Sequence, residues 1–133
     1  MQRSVAVLLA AGGGTRFQGA THKLLAPLRG RPVYQWAVEH ARSAGLEVWV
    51  ITGAARLEPI DGVRFVHNPR WSEGQATSLQ CAVQAAAAEG LDAITVGLAD
   101  QPFVAPSTWR AVSTATSPIA VASYDGVRGN PVR

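Results

Sequence analysis

The pattern of apolar and polar positions divides this chain into short apolar runs that alternate with amphipathic stretches. The runs are rich in Val, Ile and Leu, which is typical of strands buried in a parallel sheet. In the stretches between them apolar residues recur every three or four positions, which predicts helices. The predicted strands are Val5–Ala11, Glu47–Thr52, Val63–His67, Asp92–Leu98 and Ile119–Tyr124. The predicted helices are Val33–Ala44, Gln75–Glu89 and Thr108 to about Ala115, with Ser107 as N-cap of the last.

This alternation of strands and helices predicts an α/β fold built as one domain. Parallel strands need right-handed crossover connections, and these crossovers place helices on both faces of the sheet. Ligands of such sheets bind at the carboxyl ends of the strands. We therefore expect functional residues directly after the predicted strands.

Three consecutive glycines follow the first strand, and two cations come soon after them. Gly12, Gly13 and Gly14 can turn sharply and leave backbone N–H groups open to an anion. Arg16 carries a planar guanidinium that matches phosphate oxygens, and Lys23 adds a mobile point charge. Strand, glycine turn and cations together predict a site for a polyphosphate. The alternative is a strand-to-helix turn that is simply rich in glycine.

Two well-known phosphate-binding motifs do not match this segment. Gly14 and Gly19 have the spacing of a P-loop, but Ala20 and Thr21 stand where that motif needs Lys and then Ser or Thr. A dinucleotide-binding fingerprint needs a third glycine where this chain has Phe17. The residues at these positions therefore exclude both motifs.

Asp100 is the second candidate for phosphate chemistry, because it comes directly after a mostly apolar strand. The carboxyl ends of parallel strands share one edge of the sheet, so Asp100 should lie near the glycine turn. Mg²⁺ is bound by one or two carboxylates together with phosphate oxygens. The sequence thus predicts Mg²⁺ as cofactor with Asp100 as its ligand. The alternative is that Asp100 only caps the turn at Pro102.

Composition and charge narrow the choice of partners. The 133 residues are 47% hydrophobic and 16% charged, which fits a globular domain and excludes a disordered chain. The formal net charge of +3 is scattered, so it predicts a small anionic substrate and no nucleic acid. Cys81 is the single cysteine, which excludes an intrachain disulfide. The first apolar run is too short to cross a membrane, so we expect a cytoplasmic protein with no membrane partner.

Three motifs resemble the nucleotidyltransferases of the molybdenum cofactor cytidylyltransferase and MobA-like type. They are L-A-A-G-x-x-x-R at Leu9–Arg16 with Lys-Leu-Leu from Lys23, L-A-D-Q-P at Leu98–Pro102, and N-P-x-W-x-x-G-x-x-x-S at Asn68–Ser78. The resemblance implies a Rossmann-like three-layer sandwich with a mostly parallel sheet. It also implies transfer of a nucleoside monophosphate from an NTP, with CTP favoured and GTP possible, to a phosphorylated acceptor such as molybdopterin cofactor.

Carried over residue by residue, the resemblance assigns roles around the triphosphate. Arg16 would bind the terminal phosphates, Lys23 would lie by the α-phosphate, and Asp100 would hold the metal. These three form the implied catalytic set. The implied nucleotide-binding set is Leu9, Ala10, Ala11, Gly12, Gly13, Gly14, Thr15, Arg16, Lys23, Gly74 and Ser78.

Gly74 and Ser78 belong to this set because, in the family, the segment that corresponds to Asn68–Ser78 lines the site for the base and ribose. The alternative for that segment is a plain entry into the helix, with Ser72 as N-cap and Trp71 packing as a staple. Other reactive side chains are expected to be structural. His22 should lie in an exposed loop, and His40 and His67 in the core or its rim, while Cys81 should be buried.

This chain departs from the family in three places. The spacing from Arg16 to Lys23 is two residues longer than the commonest form, and Phe17-Gln18 stand where the family usually has Met-Gly after the Arg. Family members also run on past the Gly-Asn-Pro at Gly129–Pro131, so we expect one domain over residues 1–133 that lacks the usual C-terminal segment. Two alternatives stay open beside the enzyme: a non-catalytic NTP-binding or assembly subunit, and a sugar-phosphate nucleotidyltransferase. We expect a monomer or a weak homo-oligomer.

Overall fold

The computed structural model describes residues 4–12, 23–115, 121–124 and 127–132. Four predicted site residues, Gly13, Gly14, Thr15 and Arg16, therefore lie outside the described residues, as does His22.

One six-stranded sheet forms the centre of the described part of the chain, in the order β5-β4-β1-β6-β8-β7. Its strands are β1 (Val5–Ala10), β4 (Glu47–Thr52), β5 (Arg64–His67), β6 (Thr95–Leu98), β7 (Val121–Tyr124) and β8 (Val127–Val132). β5, β4, β1 and β6 pair in parallel, whereas β8 is antiparallel to both β6 and β7. The predicted mostly parallel sheet is confirmed.

Between β1 and β4 the chain makes a small hairpin of β2 (Pro27–Leu28) and β3 (Arg31–Pro32). Its two-residue loop has positive φ at both positions, 49° at Arg29 and 81° at Gly30. Positive φ at both central residues is the backbone that a tight hairpin needs to match the twist of its strands. The hairpin leads directly into the first helix.

Three α-helices cover the sheet within the described residues: α1 (Val33–Ser43), α2 (Gln75–Ala88) and α3 (Pro106–Ser113). The side chains of β1 alternate between two cores. Ala6 and Leu8 pack with α1 and α3, whereas Val5 and Val7 pack with α2 on the other face. The predicted three-layer α/β sandwich is therefore confirmed. None of the described helices is long and apolar enough to span a membrane.

Several element boundaries differ from the predicted ones. Ser107 is not the N-cap of α3, because Ala105 occupies that position and Pro106 begins the helix. Proline is well suited to the first helical position, where an N–H would find no partner in the helix. The β6 strand begins only at Thr95, where pairing with Ala6 of β1 begins. The buried residues of α1 are Tyr34, Ala37, Val38 and Ala41.

Candidate functional site

The carboxyl ends of β1 and β6 lie side by side, as the sequence predicts. Leu9 pairs with Leu98, and the Ala99 N–H donates to the Leu9 carbonyl oxygen at 3.1 Å. Asp100 is the next residue of the chain and is half-buried. The predicted metal ligand is thereby brought to the start of the glycine turn. This is also the point where chain connections leave the sheet towards opposite sides, which is where ligands bind in open α/β sheets.

The residues that begin the predicted nucleotide-binding set can offer mainly backbone atoms to a ligand. The side chains of Ala10 and Ala11 are buried, with 2% and 5% exposure. Gly12 is exposed, and a Cβ built on it would meet no atom of the described residues within 4 Å. Lys23 begins a short 3₁₀ helix, Lys23–Leu25. The phosphate-binding roles of these residues stay predictions.

Gly53 is a residue of this region that sequence reasoning missed. A Cβ on Gly53 would lie 2.4 Å from the Ala11 carbonyl oxygen and 2.6 Å from Trp71 Cβ. The Ala54 N–H also donates to the Ala11 oxygen at 3.4 Å. Only glycine lets the end of β4 approach the start of the glycine turn so closely. In the sequence, the one sign of this close approach was a glycine directly after a buried strand.

Asn68 organises the loop that follows β5. It is 2% exposed, and its Nδ2 donates to Thr77 Oγ1 and Ser78 Oγ, each at 2.9 Å. Its Oδ1 accepts from the Arg70 N–H at 2.9 Å, and its own N–H donates to the Thr52 oxygen at 2.8 Å. Nδ2, Oδ1 and the backbone N–H of Asn68 therefore all have partners. Because these partners include Thr52 of β4 and Ser78 of α2, Asn68 ties the loop to both elements. Sequence reasoning quoted Asn68 only as part of a motif.

The two predicted base-wall residues, Gly74 and Ser78, differ in their access to a ligand. Gly74 is exposed with a φ of 115°, a backbone conformation that favours glycine, and it is the N-cap residue of α2. Ser78 is 1% exposed, and its hydroxyl accepts from Asn68. Ser72 is not the N-cap of α2, because it lies within a 3₁₀ helix, Trp71–Glu73. The contacts of Gly74 and Ser78 with a nucleotide stay predictions.

An ion pair on the surface of the same loop joins Arg70 and Glu73. Two guanidinium nitrogens of Arg70 lie 3.1 and 3.2 Å from the two carboxylate oxygens of Glu73. This hydrogen-bonded contact and its Coulomb attraction lower the pKa of Glu73 and raise that of Arg70. Both groups are exposed, so the pair contributes little to stability.

A cavity of about 320 Å³ adjoins Gly53 on the far side of β4 from β6. Its walls include Thr52, Arg56, Phe65 and His67. Within this lining the Thr52 hydroxyl and His67 Nδ1 lie 3.4 Å apart. His67 is exposed, and Cys81 is only partly buried, so the predicted burial of Cys81 is wrong.

The carboxylate of Asp100 suits a magnesium ion whose other ligands come mainly from the substrate. Among the described residues no group of three or more His, Cys, Asp or Glu side chains could hold a metal by itself. Mg²⁺ does not need such a cage when phosphate oxygens complete its shell. A single half-buried carboxylate, Asp100, at the same sheet edge as the exposed Gly12 meets that requirement.

Comparison with known proteins gives related proteins along most of the chain. A bifunctional GlmU protein from Rhizobium johnstonii is 35% identical over 113 residues, which is 77% of this chain but 24% of that protein. The chain therefore spans about a quarter of the length of the curated relatives it matches.

Solved structures share the fold. Rv0371c from Mycobacterium tuberculosis is 31% identical with a TM-score of 0.84, and the match covers 98% of this chain and 70% of that one. Its manganese complex is 27% identical with a TM-score of 0.72 and the same coverage. The CTP:phosphocholine cytidylyltransferase from Streptococcus pneumoniae is 26% identical with a TM-score of 0.62, covering 79% of this chain and 50% of that one.

The family model described as the MobA-like NTP transferase domain matches residues 6–132. That match includes β1 from Ala6 onwards, the glycine turn, Asp100 and the Asn68 loop. The chain belongs to the MobA-like NTP transferase domain family.

Proposed function

We propose that this chain is a nucleotidyltransferase that binds an NTP with Mg²⁺ at the carboxyl edge of β1 and β6. It transfers the nucleoside monophosphate to a phosphorylated acceptor and releases pyrophosphate. The observation that carries the proposal is the pairing of Leu9 with Leu98, which sets Asp100 beside the glycine turn. Membership of the MobA-like family supports the same chemistry.

In the proposed step a phosphate oxygen of the acceptor attacks the α-phosphorus of the NTP. A new P–O bond forms, the bond from the α-phosphorus to the bridging oxygen breaks, and pyrophosphate takes the electron pair. The attacking oxygen is already anionic, so no base is needed to remove a proton. Catalysis then depends on positioning and charge neutralisation.

The residues of this chain divide that work. Backbone N–H groups from Gly12 onwards and Arg16 hold the terminal phosphates. Lys23 neutralises charge that grows on the α-phosphoryl oxygens. Asp100 would hold Mg²⁺, which when bound screens the charge of the phosphates.

CTP is the favoured donor and a molybdopterin-type cofactor the first acceptor to test. The Ala10-Ala11-Gly12 form is closer to the cytidylyl branch of the resembling family than to the guanylyl branch. The similarity to a CTP:phosphocholine cytidylyltransferase supports CTP and a small phosphorylated acceptor. The similarity to GlmU proteins over 77% of the chain keeps a sugar phosphate as the second acceptor class.

Substitution of Asp100 tests the metal site on which the proposal depends. Asp100→Asn keeps the shape but removes the charge, so Mg²⁺ should no longer strengthen CTP binding. Asp92→Asn is the matched control, because Asp92 is exposed and precedes the same strand at its amino end. Calorimetric titration of CTP with and without Mg²⁺ measures both variants. Wild-type dependence on Mg²⁺ in Asp100→Asn would contradict the assignment.

The same protein preparations separate the enzyme from a non-catalytic binding subunit. An enzyme releases pyrophosphate from CTP when a molybdopterin-type cofactor or a sugar phosphate is added. A binding subunit binds CTP and Mg²⁺ but releases none with either acceptor.

A further inference from the structure

Two aromatic side chains of α1 donate hydrogen bonds to the two segments that carry Lys23 and Asp100. Trp36 Nε1 donates to the Leu28 carbonyl oxygen at 2.6 Å. His40 Nδ1 lies 2.5 Å from the Pro102 carbonyl oxygen, so the Nδ1–H is the donor. The two rings are one helical turn apart, and their centroids are 6.5 Å from each other.

The accepting carbonyls belong to the segments in which exact placement matters for the proposed chemistry. Leu28 follows the 3₁₀ helix that begins at Lys23, and the Val33 N–H donates to Ala26 in the same segment at 3.1 Å. Pro102 comes two residues after Asp100. The neighbouring Phe103 is 68% exposed, so apolar packing of that side chain does little to hold this turn.

The α1 helix, which carries the two donors, is packed closely on one side and held by polar contacts on the other. Ala37 and Ala41 are 2% and 0% exposed against the sheet. On the outer side, the Arg31 guanidinium lies 4.2 Å from the centre of the Trp36 ring and also pairs with Glu39. A rigid helix with two fixed donors can set the separation of two loops that are far apart in sequence.

We propose that Trp36 and His40 are positioning residues that fix the Lys23 segment and the Asp100 turn relative to each other. The inference rests on the proposed nucleotidyltransferase function. His40 acts through the Pro102 carbonyl on Asp100, and Trp36 acts through the Leu28 carbonyl on the segment of Lys23. The sequence had placed His40 only in the core or its rim.

The test compares His40→Asn with His40→Leu, which have nearly the same shape. Asn places an amide N–H where Nδ1–H lies, whereas Leu offers no donor. Added Mg²⁺ should strengthen CTP binding, and we call the Mg²⁺ concentration at which half of this gain is reached the Mg²⁺ midpoint. The midpoint should rise about three- to tenfold in His40→Leu, as expected for one lost hydrogen bond. In His40→Asn it should stay within about twofold of wild type.

Amide hydrogen exchange gives a second readout that does not depend on nucleotide. The Gln101 N–H donates to Leu98, so its exchange should speed up in His40→Leu. The Val33 N–H donates to Ala26, so its exchange should speed up in Trp36→Phe, which keeps a ring but loses the donor. Trp36→Phe should raise the Mg²⁺ midpoint less than His40→Leu does, because Trp36 acts on the segment of Lys23 and not directly on the Asp100 turn.

A wild-type Mg²⁺ midpoint in His40→Leu, or an equal rise in His40→Asn, would overturn the inference. If His40→Leu does not fold, His40→Gln replaces it, because its amide lies one methylene further out. Asp100→Asn is measured beside these variants. If it keeps wild-type Mg²⁺ dependence, the proposed metal site fails and this inference falls with it. If it loses that dependence while His40→Leu shows no shift, only the positioning role fails.

Discussion

The loop after β5 and the turn after β6 reach the same edge of the sheet, but they are held in different ways. The β5 loop is fixed from within by Asn68, which is buried and bonds to residues at most 16 positions away along the chain. The β6 turn is held by the β1 ladder and by His40, which lies 62 positions from Pro102. The β5 loop is thus held by a buried network of its own, whereas the position of the β6 turn depends on contacts with residues far away along the chain.

The largest expected effect comes from removing the centre of the β5 loop. Asn68→Ala deletes three side-chain hydrogen bonds and leaves the Arg70 N–H without its acceptor. The free energy of unfolding should fall by about 2–3 kcal/mol, because unpaired buried polar groups are costly. Ser78→Ala removes one acceptor from the network and should cost about 1 kcal/mol. Urea denaturation of both variants checks the ranking, and equal losses would show that Asn68 is not central.

Gly53→Ala tests whether the β5 loop also positions the start of the glycine turn. The new methyl group would meet the Ala11 oxygen and Trp71 Cβ, so we expect a loss of about 1–3 kcal/mol in stability. CTP affinity should fall as Ala11 is displaced. Gly12→Ala is the steric control, because its Cβ meets no atom of the described residues within 4 Å, and its melting temperature should stay near that of wild type. Thermal melts and CTP titration measure both; an unchanged Gly53→Ala would contradict the close approach.

The smallest effect is expected at the exposed edge of the β5 loop. Arg70→Ala should lower the melting temperature at neutral pH by about 1 °C or less, because a surface ion pair is screened by solvent. The pKa of Glu73 is lower in the folded than in the unfolded chain. Its stabilising contribution is therefore present above the unfolded value of about 4.3 and is lost as the pH falls through the folded value. Melts of both proteins should converge in acid, and a gap that widens there would contradict the ion pair.

The sequence predicted elements best where the apolar pattern coincides with strand pairing. Glu47–Thr52 matches β4 residue for residue, because every residue of that run pairs with β1. The start of β6 was placed too early, because Ala93 and Ile94 are apolar but lie before the first pair with β1. β8 was not predicted, because the Gly and Pro at Gly129–Pro131 are unfavourable in strands.

The site was predictable only where chemistry is carried by residues next to a strand end. Asp100 and Gly12 come two residues after strands β6 and β1, so their location at one edge of the sheet could be expected from topology alone. Gly53 and His40 could not be identified in this way. Their roles depend on backbone oxygens of Ala11 and Pro102, and a sequence pattern does not show which distant carbonyl a side chain will reach.

Pyrophosphate release measured beside CTP affinity, for wild type and Lys23→Ala, tests the central claim most directly. A cation placed at the α-phosphate stabilises the transition state more than the bound substrate. Lys23→Ala should therefore lower the turnover rate by about 10²-fold or more while CTP affinity changes by only a few-fold. A wild-type chain that binds CTP and Mg²⁺ but releases no pyrophosphate with either acceptor class would contradict the account.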